Sequence, residues 1–194
     1  LSPVKIGVFG GSFDPVHHGH LAAAEQAMRR LRLDQVRFVP ARQQPLKPGG
    51  HAAAAEHRIA MLERAIRGHP GFGLDRSEID RPGPSYTVDT LRALRVSHPN
   101  DQLFLIVGAD AARDLGQWCE ADRLPELAQV VVVTRPGASP PRHPLIAQVI
   151  EIPAVDVSAT AVREAVRRGE SIPHLVPRGV EEYIAAHGLY RSGG

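Results

Sequence analysis

Five consecutive apolar residues, Leu103-Phe104-Leu105-Ile106-Val107, stand between the polar Asn100-Asp101-Gln102 and Gly108. The run is far too short to cross a membrane as a helix. It is also too uniformly apolar for a strand with one wet face, where polar residues would alternate. It predicts a strand covered on both sides, at the centre of a parallel sheet with helices above and below. The N-terminal segment supplies a matching unit. Val4 to Phe9 reads as a buried strand, Leu21 to Leu33 as an Ala-rich helix, and Val36 to Pro40 as a second strand closed by proline. Strand, helix and strand in about forty residues form a right-handed βαβ crossover.

The same reading places further strands at Phe72-Gly73-Leu74, at Val130 to Thr134 and at Val149-Ile150-Glu151-Ile152. Ala54 to Arg67 carries Ile59, Leu62 and Ile66 on one helical face. Thr87 or Asp89 is expected to cap a helix through Leu94, and helices are expected at Ala161 to Arg168 and Val180 to His187, the latter ending at Gly188. Residues 41–53, with Pro45, Pro48, Gly49 and Gly50, are expected to form a mobile loop. The fold class is therefore α/β: a Rossmann-like parallel sheet with helices on both faces. It forms a single domain over 1–194, with a small helical C-terminal part at about 158–190.

Composition narrows the function. Basic residues exceed acidic ones by 23 to 21, a formal net charge of +2, which argues against a general nucleic-acid binder. No membrane span and no cleavable signal pattern are read, and the single cysteine, Cys119, cannot form an internal disulfide. These features fit a reducing cytoplasm. Only Lys5 and Lys47 among the 23 basic residues are lysines. Lys5 begins a strand and is read as structural. Lys47 lies in the Pro/Gly loop after the second strand, at the sheet edge where ligands of such folds bind.

The densest chemistry lies in Gly10-Gly11-Ser12-Phe13-Asp14-Pro15-Val16-His17-His18-Gly19-His20. Two glycines after a strand let a backbone approach a ligand, and the following helix start favours phosphate. His17 and His20, three apart, share a helix face and offer N–H donors to phosphoryl oxygens. There is no Gly-x-Gly-x-x-Gly and no Gly-Lys-Ser/Thr, so a dinucleotide-binding turn is weakly supported and a P-loop is excluded. The three histidines have no further ligands in sequence to complete a metal site, so none is assigned. Near the other end, Ser158 is a plausible N-cap, Thr160 offers a hydroxyl, and Arg163 reaches back along the helix. Such a cluster can hold the β- and γ-phosphates of a triphosphate, although a Ser-capped helix alone is ordinarily only a helix start.

Gly-Gly-Ser-Phe-Asp-Pro-x-His-x-Gly-His closely resembles the His-x-Gly-His nucleotidyltransferase superfamily. Val157-Ser158-Ala159-Thr160-Ala161-Val162-Arg163 is similar to its second motif, with Ala159 where many members carry serine. Ser85-Tyr86-Thr87-Val88-Asp89-Thr90-Leu91, Gly108-Ala109-Asp110, and Val180 to Tyr190 resemble segments of the bacterial nicotinate-nucleotide adenylyltransferases. The resemblance spans Lys5 to Tyr190. It departs from the family at Leu46, where a histidine precedes the loop lysine in the familiar form.

The resemblance implies transfer of AMP from ATP to nicotinate mononucleotide, giving nicotinate adenine dinucleotide and pyrophosphate. It implies catalytic roles for His17, His20, Lys47 and Arg163. ATP contacts are expected at Gly10, Gly11, Ser12, Phe13, Gly19, Gly108, Asp110, Ser158 and Thr160. Acceptor contacts are expected at Tyr86, Thr87, Trp118, Cys119 and Arg135, with Trp118 stacking on the pyridine ring. Asp110 is also a plausible N-cap for 111–115 and an acceptor for ribose hydroxyls. Mg²⁺ is expected to arrive on the ATP phosphates. Nicotinamide mononucleotide or phosphopantetheine as acceptor, and a non-catalytic nucleotide sensor, are the alternatives.

Overall fold

The computed structural model describes residues 2–47 and 49–191, so Pro48 and the ends of the 1–194 span lie outside it. The strands are β1 (Lys5–Gly11), β2 (Gln35–Pro40), β3 (Phe72–Leu74), β4 (Gln102–Gly108), β5 (Gln129–Thr134) and β6 (Ile146–Glu151). The helices are α1 (His18–Leu31), α2 (Ala55–Ile66), α3 (Ser77–Asp80), α4 (Thr87–Ser97), α5 (Ala109–Ala112), α6 (Leu124–Leu127), α7 (Ala159–Arg167) and α8 (Arg178–His187). All six strands pair in parallel, in the order β3-β2-β1-β4-β5-β6.

The apolar run behaves as its composition requires. Leu103, Leu105 and Val107 pack into the layer that holds Leu91 and Leu94 of α4 and Leu124 of α6. Phe104 and Ile106 point to the opposite layer, with Leu21 and Ala24 of α1, Leu62 of α2 and Val162 of α7. Alternate side chains of one strand thus feed two cores, which is why no polar residue interrupts it. Strand order reverses between β1 and β4, because the chain first builds outward through β2 and β3 and then returns to β1's other edge. The ends of two neighbouring strands diverge at such a reversal, leaving a crevice at their carboxyl ends. Gly10, Gly11 and Gly108 sit there.

Four local expectations are corrected. The glycine pair does not follow β1 but belongs to it, with Gly10 and Gly11 in register with Val39 and Pro40. Neither Thr87 nor Asp89 caps α4. Tyr86, in extended backbone, is the cap residue and makes no side-chain cap bond, so Thr87 and Asp89 already lie in the first turn. Asp110 is likewise not a cap: Gly108 precedes α5, and Asp110 is in its first turn, exposed, with its carboxylate 3.8 Å from Arg113. The last strand also begins earlier than expected, at Ile146. By contrast Ser158 Oγ accepts from Ala161 N–H at 3.1 Å, and α8 ends at Gly188 in left-handed backbone. Among the described residues no helix is long and apolar enough to cross a membrane.

Candidate active site

The crevice over β1 and β4 opens into a cleft of about 330 Å³. Gly10 and Gly11 form its floor from β1, Gly108 from β4, and Lys47 enters from the loop after β2. Tyr86 and Thr87 line it from the start of α4, and Trp118 and Cys119 from the segment between α5 and α6. Eight predicted site residues, spread from Gly10 to Cys119, therefore meet in one cavity, because they lie at the carboxyl ends of strands, in the segments that follow them or at a helix start on one sheet edge. Trp118 is half-buried, its inner part packed against the layer beneath α4 and the rest lining the cleft. Among the described residues lining the cleft, Lys47 is the only cationic side chain, joined there by Glu78 and Asp114.

Beside this cleft lie the two histidines. The His17 and His20 rings stack with centroids 3.7 Å apart, and Phe13 supports His20 edge-on at 4.9 Å. His20 Nδ1 accepts the His17 backbone N–H at 3.2 Å. In the neutral ring that leaves the proton on Nε2, so His20 presents a single defined donor. Burial, reinforced by His18, brings the His17 pKa down to about 4. Burial and then His17 hold His20 well below 6.5. Both rings are neutral at pH 7. They are therefore hydrogen-bond donors and not part of the site's positive charge, which falls to Lys47 and Arg163. Gly19 explains its own identity: a Cβ there would come within 3.0 Å of the His17 ring and 3.2 Å of Val157.

Arg163 does reach back, as its spacing suggests. Its Nη2 donates to Thr160 Oγ1 at 3.2 Å, and its Nη1 to the Asp14 carbonyl at 2.8 Å, bringing α7 against the turn after β1. Ser12 Oγ donates to Gln44 at 2.8 Å, and Lys47 N–H bonds back to the Gln44 carbonyl at 3.1 Å, so the lysine loop is tied to the same turn. The Phe13 ring is buried among Phe9, Phe38 and His20, so only its backbone faces a ligand. Asp110 and Arg135 lie on the sheet's carboxyl edge, exposed and outside the cleft lining.

Some residues escaped the sequence reading. Arg58 of α2 is 1% exposed and donates to the Ser12 carbonyl at 2.7 Å. Glu78 lies buried under the cleft, accepting from Thr90 Oγ1 at 2.7 Å, and burial raises its pKa. Ser85 Oγ accepts the Arg42 N–H at 2.8 Å, fixing the lysine loop to the segment before α4. Arg58 resembles any surface helix arginine in sequence, so no pattern could have found it. Ser85 and Asp14 stood inside the motifs without a stated role.

A family model described as cytidylyltransferase-like matches residues 8–165. A Thermus thermophilus protein named "probable nicotinate-nucleotide adenylyltransferase" is 50% identical over 188 residues, covering 97% of this chain and all of the relative. A Roseiflexus protein of the same name is 46% identical, covering 98% of this chain and all of that one. Among solved structures, Plasmodium falciparum nicotinic acid mononucleotide adenylyltransferase complexed with NaAD superposes with a TM-score of 0.79. Its identity is 19%, and the match covers 96% of this chain and 97% of that one.

Proposed function

The chain belongs to the nicotinate-nucleotide adenylyltransferases of the cytidylyltransferase-like family, and from that premise we propose how its own residues carry out the reaction. The enzyme joins the AMP of ATP to nicotinate mononucleotide, giving nicotinate adenine dinucleotide and pyrophosphate in NAD biosynthesis. The observation that carries the residue assignment is the juxtaposition of the Lys47–Tyr86–Trp118 cleft with a stacked pair of neutral histidines.

The acceptor's 5′-phosphate is already a nucleophile, so no covalent residue is needed. One of its oxygens attacks the α-phosphorus of ATP in line, the bond from that phosphorus to the bridging oxygen of the β-phosphate breaks, and pyrophosphate departs with the electron pair. Catalysis is then positioning and charge stabilisation. His20 donates its Nε2 proton as a hydrogen bond to the α-phosphate, where negative charge grows. His17 holds His20 in its tautomer and place. Lys47, Arg163, Thr160 and the start of α7 hold the departing pyrophosphate, and Gly10, Gly11 and Gly108 let the nucleotide lie close on the sheet edge.

The acceptor ring stacks on Trp118, whose flat face attracts the pyridinium. Its carboxylate lies against the N–H groups opening α4, which no side chain caps and which therefore remain available to an anion. Trp118→Ala should raise KM for nicotinate mononucleotide roughly 2–30-fold, as expected for about 0.5–2 kcal/mol of ring attraction, with KM for ATP little changed. Steady-state kinetics with each substrate varied in turn check this; equal changes for both substrates would point to a folding defect instead.

Mg²⁺ would come bound to the ATP phosphates. An ion of this kind keeps several waters and is held chiefly by the substrate phosphates. When bound it neutralises charge on the β- and γ-phosphates. Exposed, unpaired Cys119 supports a reducing compartment, the cytoplasm. Pyrophosphate release with ATP and nicotinate mononucleotide, nicotinamide mononucleotide or phosphopantetheine tests the whole reading. Turnover should be strongest with nicotinate mononucleotide; preference for either other acceptor, or tight nucleotide binding without release, would overturn it.

A further inference from the structure

Asp14 is buried, 5% exposed, and does not line the cleft, yet its carboxylate is fully engaged. Oδ2 accepts the Ala52 N–H at 2.6 Å, and Oδ1 accepts both the Ala53 N–H at 3.1 Å and the Tyr190 hydroxyl at 2.6 Å. Its carbonyl is the one that receives Arg163. Next to it, Arg58 spans from the Ser12 carbonyl to the Ala53 carbonyl. One residue thus ties three distant segments: the end of the lysine loop, the arginine of α7 and the residue that follows α8.

Tyr190 is an unusual partner for such a hub. It lies 176 positions along the chain from Asp14, and its backbone is left-handed, with φ +61°. A side chain with a Cβ takes that conformation at a cost, so the surroundings must over-determine it. What it gains is a ring buried in the core with its hydroxyl on the Asp14 carboxylate. Burial, together with that carboxylate, pushes the hydroxyl's pKa upward, so it remains a donor at any working pH.

We propose that Tyr190 is a positioning residue of the adenylyl-transfer site: through Asp14 it sets Lys47 and Arg163 relative to each other, and so aligns the triphosphate. Losing the hydroxyl leaves Oδ1 held by the Ala53 N–H alone, and the Ala52-Ala53 end of the lysine loop and the Asp14 carbonyl under Arg163 shift together. Small displacements of groups that hold a leaving group are costly in rate. This inference rests on the reading that Lys47 and Arg163 hold the departing pyrophosphate.

Tyr190→Phe removes one oxygen and keeps the ring. Pyrophosphate release should show kcat/KM for ATP falling roughly 10-fold, with KM for nicotinate mononucleotide unchanged. In the Lys47→Ala and Arg163→Ala backgrounds the same change should cost less than about threefold, because the groups it aligns are gone. A merely structural tyrosine would instead lower Tm, leave turnover per folded enzyme intact, and add fully in both backgrounds; that result overturns the proposal. If Lys47→Ala and Arg163→Ala themselves leave ATP kinetics intact, the pyrophosphate reading fails instead. Should Tyr190→Phe not fold, Asp14→Asn is read in the same assays. It leaves an oxygen for Tyr190 but sets an amide against the Ala52 N–H, and it should show the same ATP-side loss; unchanged ATP kinetics would overturn the proposal equally.

Discussion

His20→Ala should lower kcat for pyrophosphate release roughly 10²–10³-fold while leaving the melting temperature and nucleotide affinity close to those of the parent enzyme. The size follows from the role. A preorganised donor aimed at growing phosphate charge is worth little in the ground state and much in the transition state, so its loss appears in kcat. The structure sharpens why the donor is preorganised. His17 N–H occupies His20 Nδ1, Phe13 stands edge-on to the ring, and His17 stacks on it. The ring is fixed in plane and tautomer before any substrate arrives. His20→Asn, which keeps a side-chain N–H but cannot reach as far or stack as broadly, should recover only a small part of the loss. Near-normal turnover by His20→Ala, measured with saturating ATP and acceptor, would remove His20 from the chemistry.

The frame of the fold was legible because strands covered on both faces must be apolar throughout, and Leu103 to Val107 and Val130 to Val133 satisfy that without exception. The cleft was legible in outline because its lining gathers at the carboxyl ends of strands and in the loops after them, so Gly10, Lys47 and Gly108 could be placed by order along the chain alone. Two kinds of information were missing. Side chains that link distant segments, such as Arg58 with Ser12 or Tyr190 with Asp14, leave no local pattern, since neither partner's neighbourhood reveals the other. The ionisation of the histidines was also hidden. Their spacing offers N–H donors to phosphate but does not say whether the rings also carry charge. Burial lowers both pKa values and makes the rings neutral, so their chemistry is directed hydrogen bonding.

That neutrality has a consequence for stability, and its direction follows from proton linkage. His17 titrates at about 4 in the folded chain against 6.5 when unperturbed. Between those values the unfolded chain binds a proton that the folded chain excludes, so stability is full above the upper value and falls as pH drops towards the lower one. Each pH unit of that window is worth about 1.4 kcal/mol, so His17 should account for roughly 3 kcal/mol of lost stability between pH 7 and pH 4. His20, shifted in the same direction, adds to it. Carboxylates titrate in the same range, so the contribution is isolated by difference. Urea unfolding of the parent and of His17→Gln, followed from pH 7 to pH 4, should give a distinctly shallower pH dependence in the variant whatever its stability at pH 7. A residual slope from His20 should remain. Parallel curves would mean that His17 accepts its proton in the folded state, and that the pair meets ATP as cations and not as directed donors.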